Sequence, residues 1–277
     1  MNKANELIVD FEKMSYNMIK KYTDDIKDDY INFNINKDVV TQMINCLNTD
    51  SRKNVQSLSV KISKQIEAFD KEVYRVKKMY DFDKNYLAEG YIAGVDEVGR
   101  GPLAGPIVAA SVILDLSSMH NSDLIIGIKD SKKLSSKARE ELSAEIIHKA
   151  ASYSFAVINN YEIDSKGIAW CNNEVFREAV SKLSIQPELV LSDGYPIKRF
   201  NLKNNYVIKG DEKSASIACA SIIAKVYRDK IMREYSKIYP KYFFEENAGY
   251  GTKDHIEALK KYGPCKIHRM YFLRNIL

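Results

Sequence analysis

Gly94-Val95-Asp96-Glu97-Val98-Gly99-Arg100-Gly101-Pro102-Leu103-Ala104-Gly105-Pro106 is the stretch that decides the fold. Tyr91–Val98 and Pro106–Leu114 are rich in Val, Ile and Ala, and the glycines from Gly99 to Gly105 break the run, so the segment reads as two adjoining buried strands joined by a turn. Two adjacent carboxylates, Asp96 and Glu97, close the first strand. Burying them without a cation is costly, so they need a partner. Successive strand side chains point to opposite faces. A shared site therefore requires the strand to end or twist here, or Glu97 to contribute its backbone carbonyl. Solvated acids in an ordinary turn are the competing reading, and this segment alone does not decide between the two.

Downstream, a helix fits Ser135–Ala151, a third strand Tyr153–Ile158 and a helix Ser165–Leu183. Short strands fit Glu188–Ser192 and Tyr206–Lys209, and a long helix runs from Ser214 to about Lys237. Strands that come first in a run and then alternate with helices imply an α/β domain with a mixed sheet flanked by helices. Upstream, Val55, Leu58, Ile62, Ile66, Phe69, Val73, Val76 and Tyr80 recur at gaps of three and four, the stripe of one amphipathic helix over Ser51–Tyr80. A shorter helix fits Asn36–Asn48. Residues 1–85 thus read as a small helical module without a catalytic cluster, and 86–277 as the α/β domain with its C-terminal helices.

The 277 residues carry 42 Lys and Arg against 37 Asp and Glu, a mild basic excess that suits a polyanionic partner without requiring one. Cys46, Cys171, Cys219 and Cys265 form no CxxC pair, which argues against a zinc ribbon or a redox couple. Neither a basic-then-apolar leader nor an uncharged stretch of roughly 18 apolar residues is present, so the expectation is a soluble cytoplasmic protein, by default a monomer.

Two more acids stand at strand ends: Asp193 follows Leu189-Val190-Leu191-Ser192, and Asp211 follows Tyr206-Val207-Ile208-Lys209-Gly210. Four carboxylates so placed suit two hard cations, Mg²⁺ or Mn²⁺, acting on a phosphodiester. Taken singly, Asp193 also fits an Asp-Gly turn and Asp211 a helix N-cap before Glu212 to Ile217. Ser214, Ser216 and Ser221 lie in no Gly-x-Ser-x-Gly elbow, and the glycines at 99, 101 and 105 fit no dinucleotide or Walker spacing.

These segments, in this order, resemble bacterial ribonuclease HII from about Tyr91 to Phe272. The likeness rests on Gly94 to Pro106, Asp130-Ser-Lys-Lys-Leu134, Ser192-Asp-Gly194, Lys209-Gly-Asp211 leading into Ser216 to Lys225, Gly249-Tyr-Gly-Thr252 with His255, and His268-Arg269. It implies the ribonuclease H fold with a five-stranded mixed sheet. It also implies an endonuclease that cuts the RNA strand of RNA–DNA hybrids and the 5′ side of single ribonucleotides in duplex DNA, leaving 3′-hydroxyl and 5′-phosphate ends. By motif position Asp96, Glu97, Asp193 and Asp211 resemble the family's catalytic, metal-binding acids. Gly99-Arg100-Gly101 resembles the loop that meets the ribose 2′-hydroxyl, and Tyr250 the tyrosine that stacks on the next sugar, although without that resemblance a buried aromatic in a glycine-flanked turn is the favoured reading of Tyr250.

Lys132, Lys133, Lys225 and Arg228 are candidates for phosphate contacts, with a solvated face as the alternative for the lysines. With so few histidines and no paired arrangement in the sequence, His255 and His268 read as structural. Tyr271 and Cys219 depart from residues common in the family, Ser and Ala, and bear on packing rather than chemistry. Two other functions compete: a ribonuclease HIII-type enzyme, which resembles this core but carries Gly-Lys-Gly where Arg100 stands here, and a non-catalytic duplex-binding module.

Overall fold

The computed structural model describes residues 10–86, 90–117, 120–274 and 276. The chain divides into two compact units, Met1–Lys77 with Met119–Ile126, and Lys78–Ser118 with Gly127–Leu277. The first unit is helical. Its helices α1 (Tyr16–Ile31), α2 (Lys37–Thr49) and the first part of α3 (Lys53–Lys84) close around Ile19, Val40, Met43, Leu47, Val55, Leu58, Ile62 and Ile66. Helices α2 and α3 occupy the stretches whose periodicity predicts them, and α3 runs four residues past Tyr80. Helix α1 was not visible in the apolar spacing because only Ile19 and Thr23 of it are buried.

The second unit holds a five-stranded sheet in the order β3-β2-β1-β4-β5, from β1 (Ile92–Val98), β2 (Ile107–Ile113), β3 (Ser152–Ile158), β4 (Leu189–Asp193) and β5 (Asn204–Val207). Helix α4 (Ser136–Lys149) precedes β3. The pair β1–β2 is antiparallel, as is β2–β3, whereas β4 runs parallel to β1 and β5 to β4. The sheet is thus mixed and five-stranded, as the element order implies. The helix expected over Ser165–Leu183 is two, α5 (Asn160–Lys166) and α6 (Ile168–Ser181), broken at Gly167 with φ of 81°. Strand β5 ends two residues before Lys209, which takes a left-handed φ of 56° and starts the short helix α7 (Gly210–Lys213). The remaining helices are α8 (Ala215–Ile238), α9 (Phe244–Asn247), α10 (Lys253–Tyr262) and α11 (Met270–Leu273).

Helix α8 lies directly on the central strand. A Cβ at Gly94 would stand 2.2 Å from the Ser216 carbonyl carbon, so only glycine permits this approach. All ten residues from Ala215 to Ala224 are small or branched and buried, so this part of α8 is enclosed on every side, with Cys219 among them without any exposed surface. At the helix start the Ser214 hydroxyl accepts from the Ile217 amide, and Asp83, from the last turn of α3, accepts from the Ser216 amide at 2.8 Å.

The second oxygen of Asp83 is buried without a partner. Burial pushes this carboxyl up to about 6. A carboxyl raised above its unfolded value near 3.8 favours folding fully below that value, and the contribution is lost as pH rises through about 6. Asp83→Asn keeps the acceptor and removes the charge. Its Tm should therefore exceed the wild type's at pH 8 and match it near pH 4, a difference of at most roughly 3 kcal/mol. Thermal melts at the two pH values check this, and equal melting curves at pH 8 would count against it.

Candidate active site

The parallel register of β1 and β4 sets Val95 opposite Ser192, so the next residues, Asp96 and Asp193, end neighbouring strands at the same edge. Val207 of β5 pairs with Asp193, and the left-handed turn at Lys209 brings Asp211 round in α7. Carboxyl ends of adjacent parallel strands are where open α/β sheets place ligands. All four acids line one pocket of about 600 Å³ together with Gly99, Arg100, Gly101, Lys132, Lys225 and Tyr250. Of the residues named for the site from the sequence, Lys133 and Arg228 alone stay outside this cavity. Ser131, Tyr195 and Ser221 also line it and were not anticipated.

Asp96 and Glu97 both line this cavity although β1 runs on to Val98 and both stay paired with β2, Asp96 with Ala110 and Glu97 with Ala109. The Glu97 amide donates to Asp96 Oδ1 at 2.7 Å. Burial, then the neighbouring charges of Glu97 and Asp193, hold the Asp96 carboxyl well above its ordinary range. Burial raises Glu97 to about 7, with Arg100 opposing and Asp193 adding to the rise. Burial also raises Asp193, against the Gly210 amide that donates to its Oδ1 at 2.7 Å. Asp211 is raised by burial and by the charges of Asp193 and Asp130. Four acids raised by crowding and burial form a site that favours a cation. Among the described residues no three of these acids already form a closed metal-binding set. A Mg²⁺-type ion that keeps waters and takes substrate oxygens does not require one.

Asp193 lines the cavity and also begins the tight turn through Gly194, where φ is 69°. Asp211 is not the cap of the long helix: that role falls to Ser214, and Asp211 lies inside α7. Tyr250 is 41% exposed, which excludes a buried aromatic. Gly99 has φ of 97°, and a Cβ there would stand 2.3 Å from Arg228 Nε. The Arg100 guanidinium lies 4.9 Å from the Tyr195 ring centroid and 3.5 Å from Glu97 Oε1.

Two expectations require correction. Arg228 is no phosphate contact: it is completely buried and donates to the carbonyls of Pro106, Ala104 and Ala248 at 2.9, 3.2 and 2.9 Å. A guanidinium with five donors is well suited to gathering carbonyls from two irregular segments, here the loop at Ala104 and Pro106 and the end of α9 at Ala248. His255 and His268 are a pair after all, with their Nε2 atoms 3.0 Å apart, which thirteen residues of separation concealed. Lys133 pairs with Glu212 at 2.5 Å and does not line the pocket, whereas Lys225 lines it while pairing with Asp229 at 2.7 Å. Arg269, known from the sequence only as part of a motif, is also fully buried. It donates to the carbonyls of Gly99, Arg100 and Gly105 at 2.6, 2.9 and 2.9 Å.

A five-stranded mixed sheet with four acids gathered in one pocket at its edge suits divalent-metal chemistry on a phosphodiester. The family model described as Ribonuclease HII matches residues 93–275, and that described as Ribonuclease HII N-terminal domain matches residues 30–87. The chain is 55% identical over 269 residues to a ribonuclease HII of Clostridium tetani, covering 97% of each chain. It is similar in structure to the ribonuclease H2 of Pyrococcus horikoshii OT3, with a TM-score of 0.58 and 28% identity over 67% of this chain and 96% of that one. It shares the fold of Bst-RNase HIII solved in complex with Mn²⁺, with a TM-score of 0.50 and 22% identity over 62% of this chain and 63% of that one. The chain belongs to the ribonuclease HII family. It is a ribonuclease H, an endonuclease that acts on nucleic acid. No helix among the described residues is long and apolar enough to cross a membrane.

Proposed function

We propose that this enzyme cuts on the 5′ side of single ribonucleotides in duplex DNA as well as within RNA–DNA hybrids, using two Mg²⁺ or Mn²⁺ ions. The observation that carries the reading is the meeting of Asp96, Glu97, Asp193 and Asp211 with Gly99-Arg100-Gly101 and Tyr250 in one pocket. Asp96, Glu97, Asp193 and Asp211 would hold the ions, which supply charge neutralisation and a lowered pKa for the attacking water. Water attacks phosphorus in line and the 3′-oxygen of the preceding nucleotide departs, leaving 3′-hydroxyl and 5′-phosphate ends. The Gly99–Gly101 backbone meets the 2′-hydroxyl that separates RNA from DNA, and Tyr250 packs on the following deoxyribose. Lys132 and Lys225 contact phosphates, which positions the duplex without reading its sequence. The enzyme works as a cytoplasmic monomer.

A DNA duplex holding one ribonucleotide tests the reading. Cleavage on its 5′ side supports it, cleavage only of multi-ribonucleotide hybrids points to a type 3 specificity, and binding without cleavage points to a non-catalytic module.

Residues 1–85 act as a module that orients substrate and takes no part in the chemistry. Removing residues 1–77 should weaken duplex binding yet leave measurable cleavage, while removing 1–84 should also lower Tm because it strips Asp83 from the start of α8. Gel-shift titrations, cleavage rates and melts on the two truncations check this. A folded 78–277 protein with no cleavage at all would contradict it.

A further inference from the structure

His255 and His268 are buried to 0 and 1% exposure, and their hydrogen bonds define one proton arrangement. The Cys265 amide donates to His268 Nδ1 at 2.8 Å, so that nitrogen carries no hydrogen. The Cys265 carbonyl, 3.3 Å from the same nitrogen, is the weaker neighbour and does not reverse the assignment. The proton of His268 is therefore on Nε2, where it is donated to His255 Nε2 at 3.0 Å. His255 in turn carries its proton on Nδ1 and donates it to the Tyr250 carbonyl at 2.8 Å. That carbonyl also accepts from the Thr252 amide at 2.8 Å. Burial lowers both imidazoles below their ordinary range, His268 to about 4, which keeps them neutral. The pair faces the rings of Tyr242 and Phe244 and the Cys265 backbone.

The next residue, Arg269, grips the Gly99, Arg100 and Gly105 carbonyls. Asn160 fixes this dipeptide from behind, donating to the carbonyls of Lys266 and His268 at 3.0 Å each. One dipeptide thus holds the Gly99–Gly101 loop through its second residue and Tyr250 through its first.

We infer that His268-Arg269, with His255 as intermediary, is a positioning unit that sets the spacing between the loop reading the 2′-hydroxyl and the tyrosine stacking on the next sugar, and so tunes preference for single ribonucleotides. The inference rests on the proposed role of Tyr250. Displacing the Tyr250 carbonyl moves the ring relative to the loop, which lowers cleavage of a single-ribonucleotide duplex more than that of a long hybrid.

The test measures the ratio of the two cleavage rates for wild type, Tyr250→Ala, His255→Leu and His255→Asn, at matched salt. His255→Leu removes the donor to Tyr250 and should lower the ratio about tenfold. His255→Asn restores a donor near the Nδ1 position and should recover much of it. His255→Leu with Tyr250→Ala together should lose no more than Tyr250→Ala alone. In wild type at pH 8, imidazole ¹⁵N spectra should show hydrogen on Nδ1 of His255 and on Nε2 of His268. This measurement stands even if His255→Leu does not fold. A ratio that Tyr250→Ala lowers and both folded His255 variants leave alone overturns the inference, as do imidazoles with the opposite tautomers. A ratio that Tyr250→Ala leaves unchanged overturns the reading of Tyr250 itself, and the spectra separate the two failures.

Discussion

Asp96→Asn and Asp193→Asn are each expected to lower cleavage by at least about a thousandfold, equivalent to roughly 4 kcal/mol of transition-state stabilisation, while leaving the fold intact. The two acids end neighbouring strands in one register, and the amide that replaces each is a weak ligand for a hard cation. The fold should in fact gain. The Asp96 carboxyl, buried and crowded by Glu97 and Asp193, is raised above its unfolded value, so its contribution to stability is lost as pH rises. Glu97, raised to about 7, adds the same tendency between about pH 4.5 and 7. Without metal at pH 8, Asp96→Asn should therefore melt higher than wild type, on the order of 3–5 °C for a gain of ~1–2 kcal/mol. The Asn side-chain oxygen still accepts from the Glu97 amide. Added Mg²⁺ should raise the wild-type Tm and leave the variant's almost unmoved. Cleavage near the wild-type rate, or a Tm below wild type in the metal-free protein at pH 8, would remove these acids from the metal site.

Tyr250→Ala should lower cleavage of a single-ribonucleotide duplex ten- to a hundredfold, the loss of a stacking contact worth roughly 1–3 kcal/mol. The ring is 41% exposed at the pocket wall, 6.0 Å from the Arg228 guanidinium, and so is available to substrate instead of being spent on the core. On the proposed role of the ring, a long RNA–DNA hybrid presents a 2′-hydroxyl at the sugar it packs on, and there the loss should be smaller. The ratio of the two rates, wild type against variant, decides the matter. An unchanged ratio would leave junction recognition to Gly99-Arg100-Gly101 alone.

Asp96 and Asp193 were legible because each follows an apolar run; Glu97 was legible as the neighbour of Asp96, whereas Asp211 lies in α7, four residues beyond the end of β5. The locality of such signals explains what was not legible. Arg228 and Arg269 look from the sequence like surface cations, because their partners are backbone carbonyls up to 170 residues away that leave no mark in composition. The His255–His268 contact joins the start of α10 to the segment after Cys265, so no spacing rule announces it. Tyr195 reaches the pocket only because the Ser192 hydroxyl bonds to the Tyr195 carbonyl and folds the turn back. Strand β5 was displaced by two residues because the left-handed conformation of Lys209 ends it, and lysine does not advertise that geometry as glycine would.

The carbonyls of Gly99, Arg100, Ala104, Gly105 and Pro106 all accept from two buried guanidiniums, so the loop proposed to meet the 2′-hydroxyl is held in one shape by the fold itself. Rigid docking follows: the ordering entropy of this loop is settled during folding and not at the encounter. Association should then be a single bimolecular phase whose rate is linear in duplex concentration and falls steeply with ionic strength, with no slow isomerisation from loop closure behind it. Discrimination between ribose and deoxyribose would accordingly be expressed in how long a duplex stays and how fast it reacts, while the rate of arrival is nearly blind to the sugar.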